Sequence, residues 1–251
     1  GASDEVLFEV KDLRNAPMVN GVSFKVYKNE VLGITGLVGA GRSEMAQTIF
    51  GLMPWESGEV YIHGEKIAIK DTNDAITKGI CYLPEDRLSE GLFLQRSLSD
   101  NMTAADVDGL AHGIMLDRKN LLDVSREWLR QLDIAAQGPE IPARNLSGGN
   151  QQRIVLAKWL QTKPRLLILN CPTVGVDVGS KNQIHEIVKK LAREGMGIIV
   201  ISDDIGEIVT LCSRVIIMKD GRLIKEVNSA DTTVEALERD VIDGGEGSDA
   251  T

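Results

Sequence analysis

No stretch constrains this chain more than Gly36-Leu37-Val38-Gly39-Ala40-Gly41-Arg42-Ser43-Glu44. The apolar run Val31–Thr35 leads into it, and a helical pattern follows to about Phe50. A strand that ends in a glycine-rich loop and then opens a helix turns backbone N–H groups toward an anion. The run fits G-x-x-x-x-G-K-[ST] except that Arg42 replaces Lys. Loops of this pattern cradle phosphates, with Ser43 positioned to ligate Mg2+. Arg42 keeps the positive charge, but its planar fork is bulkier than an ammonium and places that charge differently. The plain alternative is an ordinary strand-to-helix turn. Strand, loop and helix in sequence speak against it.

The rest of the chain repeats the alternation of short β-like runs with helical patterns. Val22, Phe24 and Val26 alternate with polar residues, as in a half-buried strand. Ile80–Leu83, Leu166–Leu169 and Gly197–Ile201 are uniformly apolar and read as buried central strands of a parallel sheet. Ile184, Ile187, Val188 and Leu191 recur at helical spacing after Ser180, with Gln183 completing a capping box. Ile205, Ile208, Val209 and Cys212 repeat that spacing, and Asp220-Gly221 is a two-residue hairpin signal. Between about Glu90 and Leu160 the pattern is mostly helical, with Leu121, Leu122, Trp128, Leu129 and Leu132 as candidate core positions. These features predict an α/β fold with a helical insertion, divided as 1–89, 90–160 and 161–243, and a disordered Gly/Ser/Asp-rich tail over 244–251.

Composition removes several classes. The 251 residues carry 28 basic and 37 acidic side chains, a net charge of −9 that argues against a nucleic-acid partner. Cys81, Cys171 and Cys212 form no CxxC pair, so neither a disulfide framework nor a zinc site is expected, and a reducing compartment fits. No apolar stretch approaches the ~20 residues needed to span a bilayer, and the start has no signal-peptide pattern. Any membrane role would then go through a partner.

A second glycine-rich turn, Leu146-Ser147-Gly148-Gly149-Asn150-Gln151-Gln152-Arg153, opens a segment in which Ile154, Ala157, Trp159 and Leu160 are apolar. It too aims a hydroxyl and helix N-terminal N–H groups at an anion. This run resembles the signature motif of ABC ATPases. With the phosphate loop and the order of the two, nearly the whole chain resembles an ABC-transporter nucleotide-binding domain. The nearer likeness is to the C-terminal ATPase half of twin-domain proteins that energise ribose- and galactose-type importers. Gly36–Glu44 with its Arg, Leu83-Pro84-Glu85-Asp86-Arg87 with Gly91-Leu92, and Gly175-Val176-Asp177-Val178-Gly179 carry that likeness.

The resemblance implies a P-loop NTPase core with an N-terminal antiparallel β subdomain and an inserted α-helical subdomain. It also exposes departures. Asn170 and Cys171 stand where the family's Walker B strand ends in Asp and Glu. Asn170 cannot supply a metal's counter-charge. Cys171 is a poor substitute for a carboxylate, since a free thiol has a pKa of about 8.5; it reads better as a small buried residue than as a catalytic thiol. Glu85 takes the place of the Q-loop glutamine; it could contact Mg2+, or be a solvated turn residue. Asp203, in Ser202-Asp203-Asp204, takes the place of the switch histidine, and a helix N-cap at Ser202 or Asp203 is the better account of it. His63, His112 and His185 lie elsewhere and are expected on the surface. Val174 stands where that subfamily often has Arg, and no aromatic near Leu13–Met18 offers adenine a stacking surface. Asp177, in the family's D-loop, would sit at the dimer seam or serve only as a turn residue.

In the family, two such domains bind head to tail, each P-loop facing the other's signature. The resemblance therefore implies ATP or ADP here, with Mg2+ weak or absent, and little hydrolysis at this chain's own loop. It implies that the signature, Leu146 to Gln151, completes the site of another ABC ATPase domain, normally the fused N-terminal half of a longer bacterial parent. Permease subunits, and indirectly a solute-binding protein, would be the other partners, at the cytoplasmic face of the inner membrane. The alternatives are a non-hydrolytic regulatory nucleotide-binding module and a non-transport ABC ATPase acting in translation or DNA repair.

Overall fold

The computed structural model describes residues 3–112 and 115–244. The strands are β1 (Val6–Asn15), β2 (Val19–Tyr27), β3 (Val31–Gly36), β4 (Ser57–Ile62), β5 (Glu65–Ile67), β6 (Ile80–Leu83), β7 (Ala111–His112), β8 (Met115–Leu116), β9 (Leu166–Asn170), β10 (Gly197–Ile201), β11 (Arg214–Lys219) and β12 (Arg222–Asn228). The helices are α1 (Arg42–Ile49), α2 (Thr72–Thr77), α3 (Leu98–Thr103), α4 (Val107–Leu110), α5 (Arg118–Gln131), α6 (Gly148–Leu160), α7 (Val178–Arg193), α8 (Ile205–Leu211) and α9 (Val234–Asp243). The chain divides into two compact units, one built from residues up to Tyr82, Arg165–Cys171 and Val188 onward, the other from Leu83–Pro164 and Pro172–Ile187. Apart from Gly244, the expected disordered tail lies outside the described residues. Among the described residues no helix is long and apolar enough to cross a membrane.

The first unit holds two sheets. An antiparallel sheet runs β2-β1-β4-β5. Val22, Phe24 and Val26 point into its core while the residues between them face out, the period-two pattern expected of a one-sided sheet. The other sheet runs β12-β11-β3-β10-β9-β6. β3, β9 and β10 are buried at every position and pair in parallel, β10 between the other two. Strands covered on both faces need apolar side chains on both, which is why their sequences do not alternate. Ile80–Leu83 corrects the sequence reading in one respect: β6 is fully buried but lies at the sheet edge, beside β9. Burial of both faces does not require two neighbouring strands, so an apolar run cannot distinguish edge from centre. At the opposite edge Asp220 and Gly221 both adopt positive φ, 48° and 74°, and close the β11–β12 hairpin as their sequence predicts.

Glu30 would be costly in this core without a partner, at 2% exposure. Arg214 supplies it, donating from Nε at 2.8 Å and from Nη2 at 3.0 Å to the two carboxylate oxygens. Further bonds from Arg214 reach Glu226 and the carbonyl of Lys25. Burial alone would lower the Arg214 pKa, but the hydrogen bonds and charges of Glu30 and Glu226 outweigh it and hold the pKa above the ordinary value. An ammonium cannot reproduce this planar fork. Arg214→Lys is expected to cost about 1.5 kcal/mol in urea unfolding with an unchanged m-value.

The second unit is helical. α6 is its centre, buried almost throughout, including Gln151, Gln152, Arg153 and Lys158. Backbone carbonyls accept from all four: Gln151 donates to Ala143, Gln152 to Pro172, Arg153 to Gly149, Leu132 and Asp133, and Lys158 to Gly91, while Gln152 Oε1 is buried without a partner among the described residues. α5 corrects the expected core. Of Leu121, Leu122, Trp128, Leu129 and Leu132, only Leu132 is deeply buried, and Ser125 is the fully buried residue of the helix. α5 meets α3 through a polar contact, Ser125 Oγ to Ser99 Oγ at 2.9 Å, and Trp128 turns its indole N–H to Gln161 at 2.8 Å. An outer helix of a small unit buries a narrow stripe, so leucines flanking it stay half-covered.

Candidate functional site

In the first unit, β3 delivers Gly36 and α1 begins at Arg42. Two glycines of the loop are required by close approach. A Cβ on Gly36 would lie 2.2 Å from the carbonyl oxygen of Met218, and one on Gly41 would lie 2.0 Å from that of Met18. Both have positive φ, 153° and 96°. The loop is tied from within by Ala40 N–H to Leu37 O and from behind by Gly221 N–H to Ala40 O. Its crest faces out: Val38 is 90% exposed, and Leu37 and Gly39 are exposed with it. The first helical bond of α1 runs from Met45 N–H to Gly41 O. The N–H groups of Arg42, Ser43 and Glu44 therefore have no partner within the helix, and Gly41 offers no side-chain cap. This is the geometry of an anion cradle.

The side chains around it explain how the departures fit together. The Arg42 guanidinium is buried and turned toward the end of β10. It donates to the carbonyl of Ser202 at 3.3 Å and forms an ion pair with the Asp203 carboxylate. Asp203 is thus not a helix cap, as the sequence suggested. Asp204 caps α8 by accepting from Glu207 N–H at 2.9 Å. Ser202 Oγ accepts from Asp204 N–H and donates to Glu207. The cap falls one residue later because the carboxylate that reaches the third N–H of the helix is the one directly before it. Taken one at a time, Arg42 and Asp203 looked like unrelated losses. Their opposite charges were the signal that they belong together.

Asn170 ends β9, 2% exposed, and donates from Nδ2 to Ser43 Oγ at 3.0 Å and to Tyr82 Oη at 3.1 Å. Its Oδ1 is buried with no hydrogen-bond partner among the described residues. Cys171 follows in the left-handed region, φ 49°, buried, with its N–H on Ile201 O. That fits the bland reading of Cys171 as a small residue at a strand end. No group of three or more His, Cys, Asp or Glu able to hold a metal occurs among the described residues. Of the expected surface histidines, His63 is exposed, His185 is buried within α7, and the side chain of His112 lies outside the described residues. His185 is the correction: it follows Ile184 onto the covered stripe of its helix.

In the second unit, Ser147 precedes α6 with an extended backbone and an exposed side chain. The first helical bond runs from Gln151 N–H to Ser147 O, so the N–H groups of Gly148, Gly149 and Asn150 have no partner within α6. Asn150 Oδ1 accepts from Ala135 N–H, which orients the amide so that Nδ2 donates to Ser147 Oγ at 3.0 Å. Leu146 is half-buried behind this turn. The two glycines again mark close approach. A Cβ on Gly148 would meet Arg87 Nη2 at 2.7 Å and Gly175 O at 2.8 Å, and one on Gly149 would meet Ser180 Oγ at 2.1 Å.

Arg87 joins the motifs that the sequence shows as separate runs. It donates to the carbonyls of Val174 and Gly175 at 2.7 and 3.1 Å and to Gln151 at 3.4 Å. Asp86 accepts from Leu88 and Ser89 N–H and from Ser89 Oγ, and these bonds hold its carboxyl below the usual range. Glu85 is exposed. The expected capping box at Ser180 and Gln183 is replaced. α7 starts at Val178, and Asp177 accepts from Ser180 N–H and Oγ at 3.0 and 2.8 Å. The Ser180 bonds hold the Asp177 carboxyl below the usual range. Asp outcompetes Ser as a cap because its charge also meets the positive helix end.

Comparison with known proteins agrees with this geometry. The family model described as ABC transporter matches residues 19–174. The ribose import ATP-binding protein RbsA of Halalkalibacterium halodurans is 40% identical over 233 residues, 93% of this chain and 47% of that protein. That of Bacillus licheniformis is 38% identical over 232 residues, 92% of this chain and 47% of the relative. The chain spans about half the length of the curated relatives it matches. Among solved structures, a nucleotide-free ATP-binding cassette from an ABC transporter superposes with a TM-score of 0.82 at 18% identity, covering 97% of this chain and all of that one, 100%. A dimeric cassette in a post-hydrolysis state bound to ADP and Pi gives 0.74 at 22% identity, covering 89% and 99%. The chain belongs to the ABC transporter ATPase family.

Proposed function

We propose that this chain is the degenerate second nucleotide-binding half of an ABC importer for a sugar or related solute, with ribose-type import suggested by its relatives. In this reading Gly36–Glu44 binds ATP or ADP but turns it over poorly, while Leu146–Gln151 completes the site of a partner ATPase domain joined head to tail. The partner is the fused N-terminal half of a longer bacterial parent. Permease subunits at the cytoplasmic face of the inner membrane, fed by a solute-binding protein, complete the assembly.

The observation that carries the reading is the contact of Asn170 with Ser43. An amide, not a carboxylate, faces the hydroxyl that would hold Mg2+. In this unit the donor set of Ser43 Oγ and Asn170 Oδ1 is neutral, whereas Mg2+ is ordinarily held by one or two carboxylates besides phosphate. These residues do not fit the metal. Cys171 puts a thiol, a weak hydrogen-bond acceptor, where the family has a carboxylate base, and general-base assistance alone is worth about 10²–10⁴-fold. The glycine loop, by contrast, suits phosphate well.

The test is phosphate release by the isolated chain. Turnover at least about 10³-fold below that of an ordinary ATPase is expected. Substantial phosphate release that Arg42→Ala abolishes would contradict the reading.

A further inference from the structure

Resting on the nucleotide-site reading above, we propose that Asp203 is an internal competitor for nucleotide phosphate. It holds Arg42 away from the loop and so sets a low affinity for nucleotide at this chain's own site. Asp203 would be a positioning residue, acting through Arg42.

Three features support this. First, Arg42 is the loop's cation, and its hydrogen bonds and ion pair go to Ser202 O and Asp203 rather than across the loop crest. Second, the pair is asymmetric: the Arg42 side chain is 10% exposed and that of Asp203 is 57% exposed. The carboxylate is therefore the partner free to move into solvent, and a phosphate could displace it only by bringing a second anion beside it. Like charges set side by side oppose binding. Third, Asn170 offers the arriving phosphates no compensating positive charge, and its buried Oδ1 has no donor among the described residues. An acidic residue at this place thus does more than lack a hydrogen-bond donor. It cancels the charge that the loop retained when Arg replaced Lys.

The test uses the 251-residue chain, titrated calorimetrically with ADP and with ATP. Asp203→Asn and Asp203→Ser are both measured, with Arg42→Ala as the reference for loss of the loop's charge. The expected result is binding about tenfold tighter in both Asp203 variants, with a thermal midpoint equal to or below that of the parent chain, and weaker binding in Arg42→Ala. A residue with a merely structural role would lower affinity and thermal midpoint together, so a gain in affinity separates the two. Binding unchanged or weaker in both Asp203 variants, with Arg42→Ala still impaired, overturns the competitor role and leaves the nucleotide site standing. Absence of binding in every variant, or binding indifferent to Arg42→Ala, overturns the nucleotide-site reading and the competitor role with it.

Discussion

Ser147→Arg in the assembled transporter is expected to lower ATP turnover by about a hundredfold, the cost of removing one preorganised donor from a developing charge. The Ala135 N–H fixes the Asn150 amide, which then donates to Ser147 Oγ. With one lone pair of the oxygen occupied, the Ser147 proton is free to point outward, next to the N–H groups that open α6. An arginine there would cover those groups with its stem and place its charge elsewhere. The defect would fall on the partner domain's reaction, so nucleotide binding by this chain should be unchanged. Wild-type turnover in the Ser147→Arg complex would remove the signature from the mechanism. Ser147→Ala is the milder companion, with loss of the hydroxyl but not of the N–H groups.

Gly41→Ala should unfold the chain at a midpoint lower by about 10 °C, from a loss of about 3 kcal/mol or more. Two costs coincide. The left-handed backbone at φ 96° disfavours any Cβ, and the Cβ itself would meet a backbone oxygen, that of Met18, at 2.0 Å. A backbone carbonyl cannot step aside as a flexible side chain can. Gly39→Ala is the control: its φ is also positive, 82°, but nothing lies within 4 Å of the added atom. Equal midpoints for the two variants would show that backbone conformation alone, and not the close approach, makes Gly41 necessary.

The elements that the sequence disclosed best were those whose pattern is local. Period-two burial in β2, the apolar runs of β3, β9 and β10, and the Asp220-Gly221 turn depend on neighbours in the chain. Edge and centre of a sheet are not local, and β6 was misjudged for that reason. The helix starts shifted by one or a few residues because the carboxylates of Asp204 and Asp177, not the expected residues, reach the free helix N–H groups. At the candidate site, Arg42, Asn170, Cys171 and Asp203 were all identifiable as departures from a motif. What could not be read was their pairing: Arg42 with Asp203 and Asn170 with Ser43 are contacts across large sequence separations. Arg87 was visible only as part of a short run. Its function as a tie between Val174, Gly175 and Gln151 needed the fold.

The rear wall of the phosphate loop has a consequence for synthesis of the chain. Gly221 bonds to Ala40, Asn20 bonds to Gly221 and Asp220, and Met218 O packs against Gly36. The loop leaves the ribosome before its backing, which comes from a hairpin that follows β10 in the chain. A nascent chain that has emerged only as far as β10 carries every residue of the motif without the carbonyl and N–H that hold it in shape. Competence to bind phosphate should therefore arise late and at once, when the β11–β12 hairpin docks, and a ribosome stalled before Asp220 should display a chain that nucleotide cannot stabilise.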